Sequence, residues 1–163
     1  NLAKLSRSVA QEQDYQRALG QLRHEWNSTK DYILHAKFNL PKRLDKETQL
    51  YSVDEEDTAA SNQGGQHESL RRIVPNDFPY FCAPGIAHWV LWKYGTNSEI
   101  ATEDIDWAIK ELSLLIQPSA DDGSSSSNVL DRNNVIYWEN PPNLKSLPEI
   151  SHVHILLRDI PKE

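Results

Sequence analysis

The 163-residue sequence holds a single cysteine, Cys82, and no methionine. A lone thiol closes no internal disulfide, so packing must hold the fold. Without paired thiols or a secretory signal, the expected compartment is reducing: cytoplasmic, with the nucleus also open to it. A chain that opens on Asn1 with no methionine predicts a trimmed start. No apolar run approaches the roughly 18–20 residues that cross a bilayer, and no membrane partner is expected. Basic charge is also short. Seventeen Lys and Arg stand against 24 Asp and Glu, a net charge of −7. Nucleic-acid binding needs a cationic face to neutralise phosphates, so that class of partner is not expected either. A few local cations can still hold one small phosphorylated ligand.

With 38% hydrophobic and 25% charged residues, the composition fits one domain over 1–163 with a real core and a wet surface. Two stretches lack periodicity and read as mobile loops, 52–69 (acidic, small and glycine-rich) and 121–128 (DDGSSSSN). Neither has the glycine pattern of a phosphate cradle. The acidic run at 54–57 reads as solvated surface.

Between the loops, periodicity places the elements. Tyr15, Leu19, Leu22 and Trp26 fall on one face of a helix over 8–27. Ser28 with Asp31 predicts a fresh helix start, and Pro41 a stop. Alternation over 86–94 makes a strand with Ile86, His88, Val90 and Trp92 on one face and Ala87, Trp89, Leu91 and Lys93 on the other. Thr102 is expected to cap a third helix whose face is Ile105, Ile109, Leu112 and Ile116. Two more strands follow at 135–139 and 151–157. This order predicts an α+β fold: N-terminal helices packed on one side of a small, mainly antiparallel sheet.

The chemistry concentrates near the end of the chain. In SHVHILLR, at 151–158, Val153, Ile155 and Leu157 share a core face, while His152, His154, Leu156 and Arg158 share the opposite, wetter one. Such a row can hold phosphate, with one imidazole as nucleophile or acid/base and the guanidinium as a planar fork. His88, on a second strand, is a further ligand-binding candidate. The three histidines together can ligate a divalent metal as the alternative; no other cofactor is expected. The proline-rich segments on either side, VPNDFPYFCAPG and WENPPNLKSLPEIS, read as rigid loops beside the histidines. They contribute Asn76, Asp77, Asn140 and Ser146 as ligand-binding candidates, Asp77 as a group able to orient a histidine, and Lys145 as added charge.

These residues carry a resemblance. LSRS at 5–8, the Tyr15 helix, DYIL at 31–34, NDFPY at 76–80, IAHWVLW at 86–92 and ENPPNLKSLPEISHVHILLR at the end are similar to the fungal N-acetylglucosamine-induced protein 1 family. That resemblance implies a link to amino-sugar response and supplies no reaction. A more distant likeness is to the histidine triad superfamily. There His152 and His154 match the second and third histidines, Ile150 stands where the first would be, and Arg158 falls where an arginine often sits. It implies His152 as the nucleophile toward phosphorus. The functional expectation is therefore binding of a nucleotide or sugar phosphate, with hydrolysis or transfer by His152, or regulatory binding without turnover.

Overall fold

The computed structural model describes residues 5–54, 69–116, 130, 132–145 and 147–158. The fold is α+β; among the described residues it has three α-helices, a two-stranded hairpin and a four-stranded sheet, both antiparallel. Helix α1 spans Val9–Glu25. It begins on a reciprocal box: Gln11 N–H donates to Ser8 Oγ at 3.2 Å, and Ser8 N–H donates to Gln11 Oε1 at 2.8 Å. Helix α2, Thr29–Phe38, starts at Ser28 as the sequence predicts, its hydroxyl taking the Asp31 N–H at 3.0 Å. It stops at Asn39, whose left-handed φ of 59° turns the chain before Pro41 is reached.

Strands β1 (Lys42–Leu44) and β2 (Tyr51–Val53) pair around Asp45, which accepts the N–H groups of Glu47 and Thr48 at 2.8 Å each. The expected loop from 52 thus begins inside a strand. The rest of it, except Asp54 and Ser69, and the whole of 121–128 lie outside the described residues. The main sheet runs β3 (Leu70–Pro75), β4 (Ile86–Tyr94), β6 (Ser151–Arg158), β5 (Val135–Trp138). Helix α3, Thr102–Ile116, connects from β4. Thr102 is its first turn rather than its cap. Asp104 makes the starting bond, taking the Ala101 N–H at 2.8 Å.

Helices cover both faces of the sheet, not one. On the first face Leu91, Val153 and Ile155 pack against Ile105, Ala108, Ile109 and Leu112 of α3. Ile116, expected on that helix face, is instead exposed. On the second face α1, α2 and the hairpin gather Trp26, Ile33, Leu34, Phe38 and Val53 over Leu147, Ile150 and Trp92. Each fully buried Leu or Ile contributes about 1.5–3 kcal/mol of transfer free energy. The second face is also the one that carries the histidines, so the covering helices enclose them.

Candidate functional site

Register explains how the histidines meet. Across the β4–β6 ladder His88 opposes Leu156, Val90 opposes His154 and Trp92 opposes His152. Diagonal neighbours on one face are within reach of long or aromatic side chains. His88 and His154 are such a pair, and His88 Nε2 lies 3.0 Å from His154 Nδ1. From β5, Trp138 opposes His154 and stacks on it with ring centroids 5.2 Å apart. Tyr80, from the proline loop before β4, stacks on His88 at 4.9 Å.

Hydrogen-bond direction follows from the fixed donors. The Tyr80 N–H donates to His88 Nδ1 at 3.1 Å, so His88 carries its proton on Nε2 and donates to His154 Nδ1. The Asn140 carboxamide sits between His154 Nε2 and the Trp138 indole N–H, at 3.1 Å from each. Neutral His154, accepting at Nδ1, carries its own proton on Nε2, so an added proton on either ring would meet an N–H: that of Tyr80 at His88 Nδ1, or that of His88 at His154 Nδ1. Burial reinforces the point. It pushes His88 down from 6.5 to about 4 and His154 to about 3, with the Arg7 guanidinium helping in both cases and the neighbouring histidines helping at His154. His152 is lowered too, first by burial and less by Lys145, against the pull of the Ile150 carbonyl. All three imidazoles are neutral at pH 7.

His152 is 3% exposed, and its Nδ1 lies 2.9 Å from the Ile150 carbonyl. A carbonyl only accepts, so Nδ1 holds the proton and Nε2 keeps its lone pair. Trp92 packs beside that ring at 4.8 Å. Its indole N–H is the only buried side-chain polar atom without a partner among the described residues.

His152 and His154 line a cleft of ≈ 110 Å³ between α1, α2 and the sheet, as their alternation with buried Val153 and Ile155 predicts. Tyr15, Leu19 and Leu22 of α1 form its apolar wall. Arg7 and Lys37 line it, with Asp77 as its carboxylate. The histidine face is therefore a half-open cleft under the helices rather than a flat wet surface.

Several candidates sit elsewhere than expected. Arg158 is exposed at the far end of β6, four residues and about 13 Å along the strand from His154. It does not line the cleft; Arg7 does. The Arg7 guanidinium lies 3.9 Å over the Tyr15 ring, and its Nε–H donates to the Phe78 carbonyl at 3.1 Å. Asp77 orients no histidine; it pairs with Lys37 at 2.6 Å. Asn76 is the neighbour of His88, its amide nitrogen 3.3 Å from Nε2, while its Oδ1 takes the Phe78 N–H. Ser146 lies outside the described residues. Lys145 pairs with Glu139. Cys82, half-buried, has its thiol pushed up by burial, away from thiolate chemistry.

The metal alternative does not match this geometry. The His88 and His154 nitrogens face each other in a hydrogen bond, and His152 Nδ1 faces a carbonyl. Among the described residues no group of three His, Cys, Asp or Glu side chains is placed to hold an ion.

Residues 1–158 match the family model described as "Protein of unknown function (DUF3605)". The chain belongs to this family. A relative, the uncharacterized protein YPL067C of Saccharomyces cerevisiae, is 29% identical over 115 residues, covering 66% of this chain and 54% of that one. The chain spans about half the length of that curated relative. The crystal structure of HTC1 matches with a TM-score of 0.50 at 21% identity, over 96% of this chain and 77% of that one; this is a likeness of fold alone. The DUF3605 match runs through every strand and helix that frames the cleft, from Arg7 to the end of β6. Among the described residues no helix is long and apolar enough to cross a membrane.

Proposed function

We propose that this DUF3605 chain binds a small phosphorylated ligand in the helix-covered cleft, without turnover, as a cytoplasmic regulatory or sensing protein. The observation that carries the reading is local charge. With neutral histidines, the charged cleft lining is Arg7 and Lys37 against Asp77 in a chain of −7. Lys37 is held by Asp77, and Arg7 is shared with half-exposed Glu12 at 3.2 Å, a solvated partner that a phosphate can displace. Arg7 offers the planar donors that suit phosphate oxygens. Tyr15, Tyr32 and Trp92 give rings against which a sugar or base can pack. The resemblance to the N-acetylglucosamine-induced family makes an amino-sugar phosphate the first ligand to try.

One observation favours a second reading, phosphoryl or nucleotidyl transfer by histidine. The Ile150 carbonyl holds the His152 proton on Nδ1 and leaves Nε2 as a free lone pair, the form a nucleophile needs. Against it, His154 is engaged with His88 and Asn140, and Arg158 is remote.

Calorimetry with N-acetylglucosamine 6-phosphate and UDP-N-acetylglucosamine tests the binding reading. Arg7→Met should weaken binding by about tenfold to a hundredfold, the worth of one charge-assisted contact. Arg158→Ala should leave it unchanged. Equal loss in both variants, or none in Arg7→Met, would contradict the assignment. Product formation that disappears in His152→Asn while affinity persists would favour the transfer reading.

A further inference from the structure

Resting on the binding reading, we infer that His152 makes the cleft selective for a ligand carrying a neutral hydroxyl or N–H donor beside its anionic group. A bare phosphate is the wrong shape of charge for this residue. His152 is more than nine-tenths buried, and its Nδ1–H is committed to the Ile150 carbonyl. What it offers the cleft is a lone pair on Nε2, and no hydrogen-bond partner for that nitrogen occurs among the described residues.

A lone pair in a low-dielectric site attracts a donor and repels an ionised phosphate oxygen, which presents lone pairs of its own.

The cleft's guanidinium, Arg7, acts electrostatically on His88 and His154; the cation that acts on His152 is Lys145, which does not line the cleft and is paired with Glu139. His152 lies beyond His154 on the same strand face, with ring centroids 5.6 Å apart. The cleft thus holds both an anion-accepting group, Arg7, and a donor-accepting one, His152 Nε2. Burial, which keeps His152 neutral, maintains that division through physiological pH. A hydroxylated phosphate ester satisfies both groups; inorganic phosphate or a simple alkyl phosphate satisfies one.

Two probes of the same carbon length separate the two groups: glycerol 3-phosphate, with hydroxyls, and n-propyl phosphate, without. Titrated calorimetrically at pH 7.5, glycerol 3-phosphate should bind about tenfold more tightly, the worth of one neutral hydrogen bond. In His152→Phe that preference should vanish, the two probes binding alike, with an unchanged circular dichroism spectrum showing that the variant is folded. His152→Gln, whose carboxamide oxygen can accept, should restore part of the preference.

Equal affinity for the two probes in the natural protein, or a preference that survives in His152→Phe, overturns the inference and leaves the binding reading intact. Failure of both probes to bind also overturns it. The binding reading itself falls only if the Arg7-dependent binding of N-acetylglucosamine 6-phosphate is absent as well.

Discussion

Lowering the pH from about 7.5 to about 5 should cost the fold about 4 kcal/mol, near 2 kcal/mol for each of His88 and His154. Both titrate far below the ordinary histidine value of 6.5, at about 4 and about 3. In the acid range the unfolded chain therefore takes up protons that the folded chain refuses. Stability is complete above about 6.5 and is lost progressively as the pH falls toward the folded-state values. The cause is structural. The pair is buried, hydrogen-bonded to itself, and entered by the Tyr80 N–H at His88 Nδ1, so an added proton on either Nδ1 faces an N–H rather than an acceptor. Urea unfolding across this range should show stability rising with pH, and His154→Gln should flatten the slope even though it lowers the plateau. A stability independent of pH between about 5 and 7 would mean that the imidazoles are not held as described.

Lys93→Met should destabilise the domain by about 3–5 kcal/mol. Lys93 points to the face opposite the histidines and is 5% exposed. Its ammonium donates to Asp104 Oδ2 at 2.7 Å and to the Glu99 carbonyl at 2.8 Å. Asp104 is 4% exposed, and its carboxylate also takes the Ala101 N–H that starts α3. Burial alone would raise the Asp104 carboxyl, but Lys93, the Ala101 N–H and Arg71 together hold it below its usual range. Removing the ammonium leaves a buried carboxylate with only the half-exposed Arg71, 3.3 Å away, for a counter-charge. Adding Asp104→Asn to Lys93→Met should recover part of the loss, because a neutral amide is cheaper to bury than an unpaired anion. A loss below about 1 kcal/mol in the single variant would show that this pair is not buried.

Long periodic segments were legible in the sequence, and short ones were not. The α1 face, the Ser28 start of α2 and the β4 and β6 alternations are all present as read. Strands β1 and β2 are three residues each, and β1 is exposed throughout, so no alternation marked them. Strand β3 is half-buried along most of its length and has no polar–apolar rhythm either.

The N-terminal helices pack on the sheet as expected, and what the sequence did not show was a helix on each face. The sequence put Val90 and Trp92 on the same side as His88, and Leu156 on the same side as His154. A face that apolar cannot remain wet, and α1 and α2 cover it.

The site was partly legible for the same reason. Alternation brings His152, His154 and His88 to one face, and the antiparallel register brings His88 to His154. Arg158 shares that face by parity but sits beyond the end of the cleft, since parity says nothing of distance along a strand. Arg7 was missed because a lone arginine before a helix has no periodic signal. Its place depends on the N-terminal segment docking on the proline loop, where the Phe81 N–H donates to the Ser6 carbonyl at 2.9 Å.

The account's central claim is that the helix-covered cleft, with a neutral His152, is the ligand site. Imidazole nitrogen NMR at pH 7 measures it most directly, recorded while N-acetylglucosamine 6-phosphate is added to millimolar concentration. Before addition, His152 should show a protonated Nδ1 and a bare Nε2. During titration the His152 Nε2 resonance and the Arg7 side-chain signals should move together and saturate, with the Arg158 amide unmoved. A cationic His152 at the start, or saturating shifts at Arg158 with none at His152 and Arg7, would contradict it.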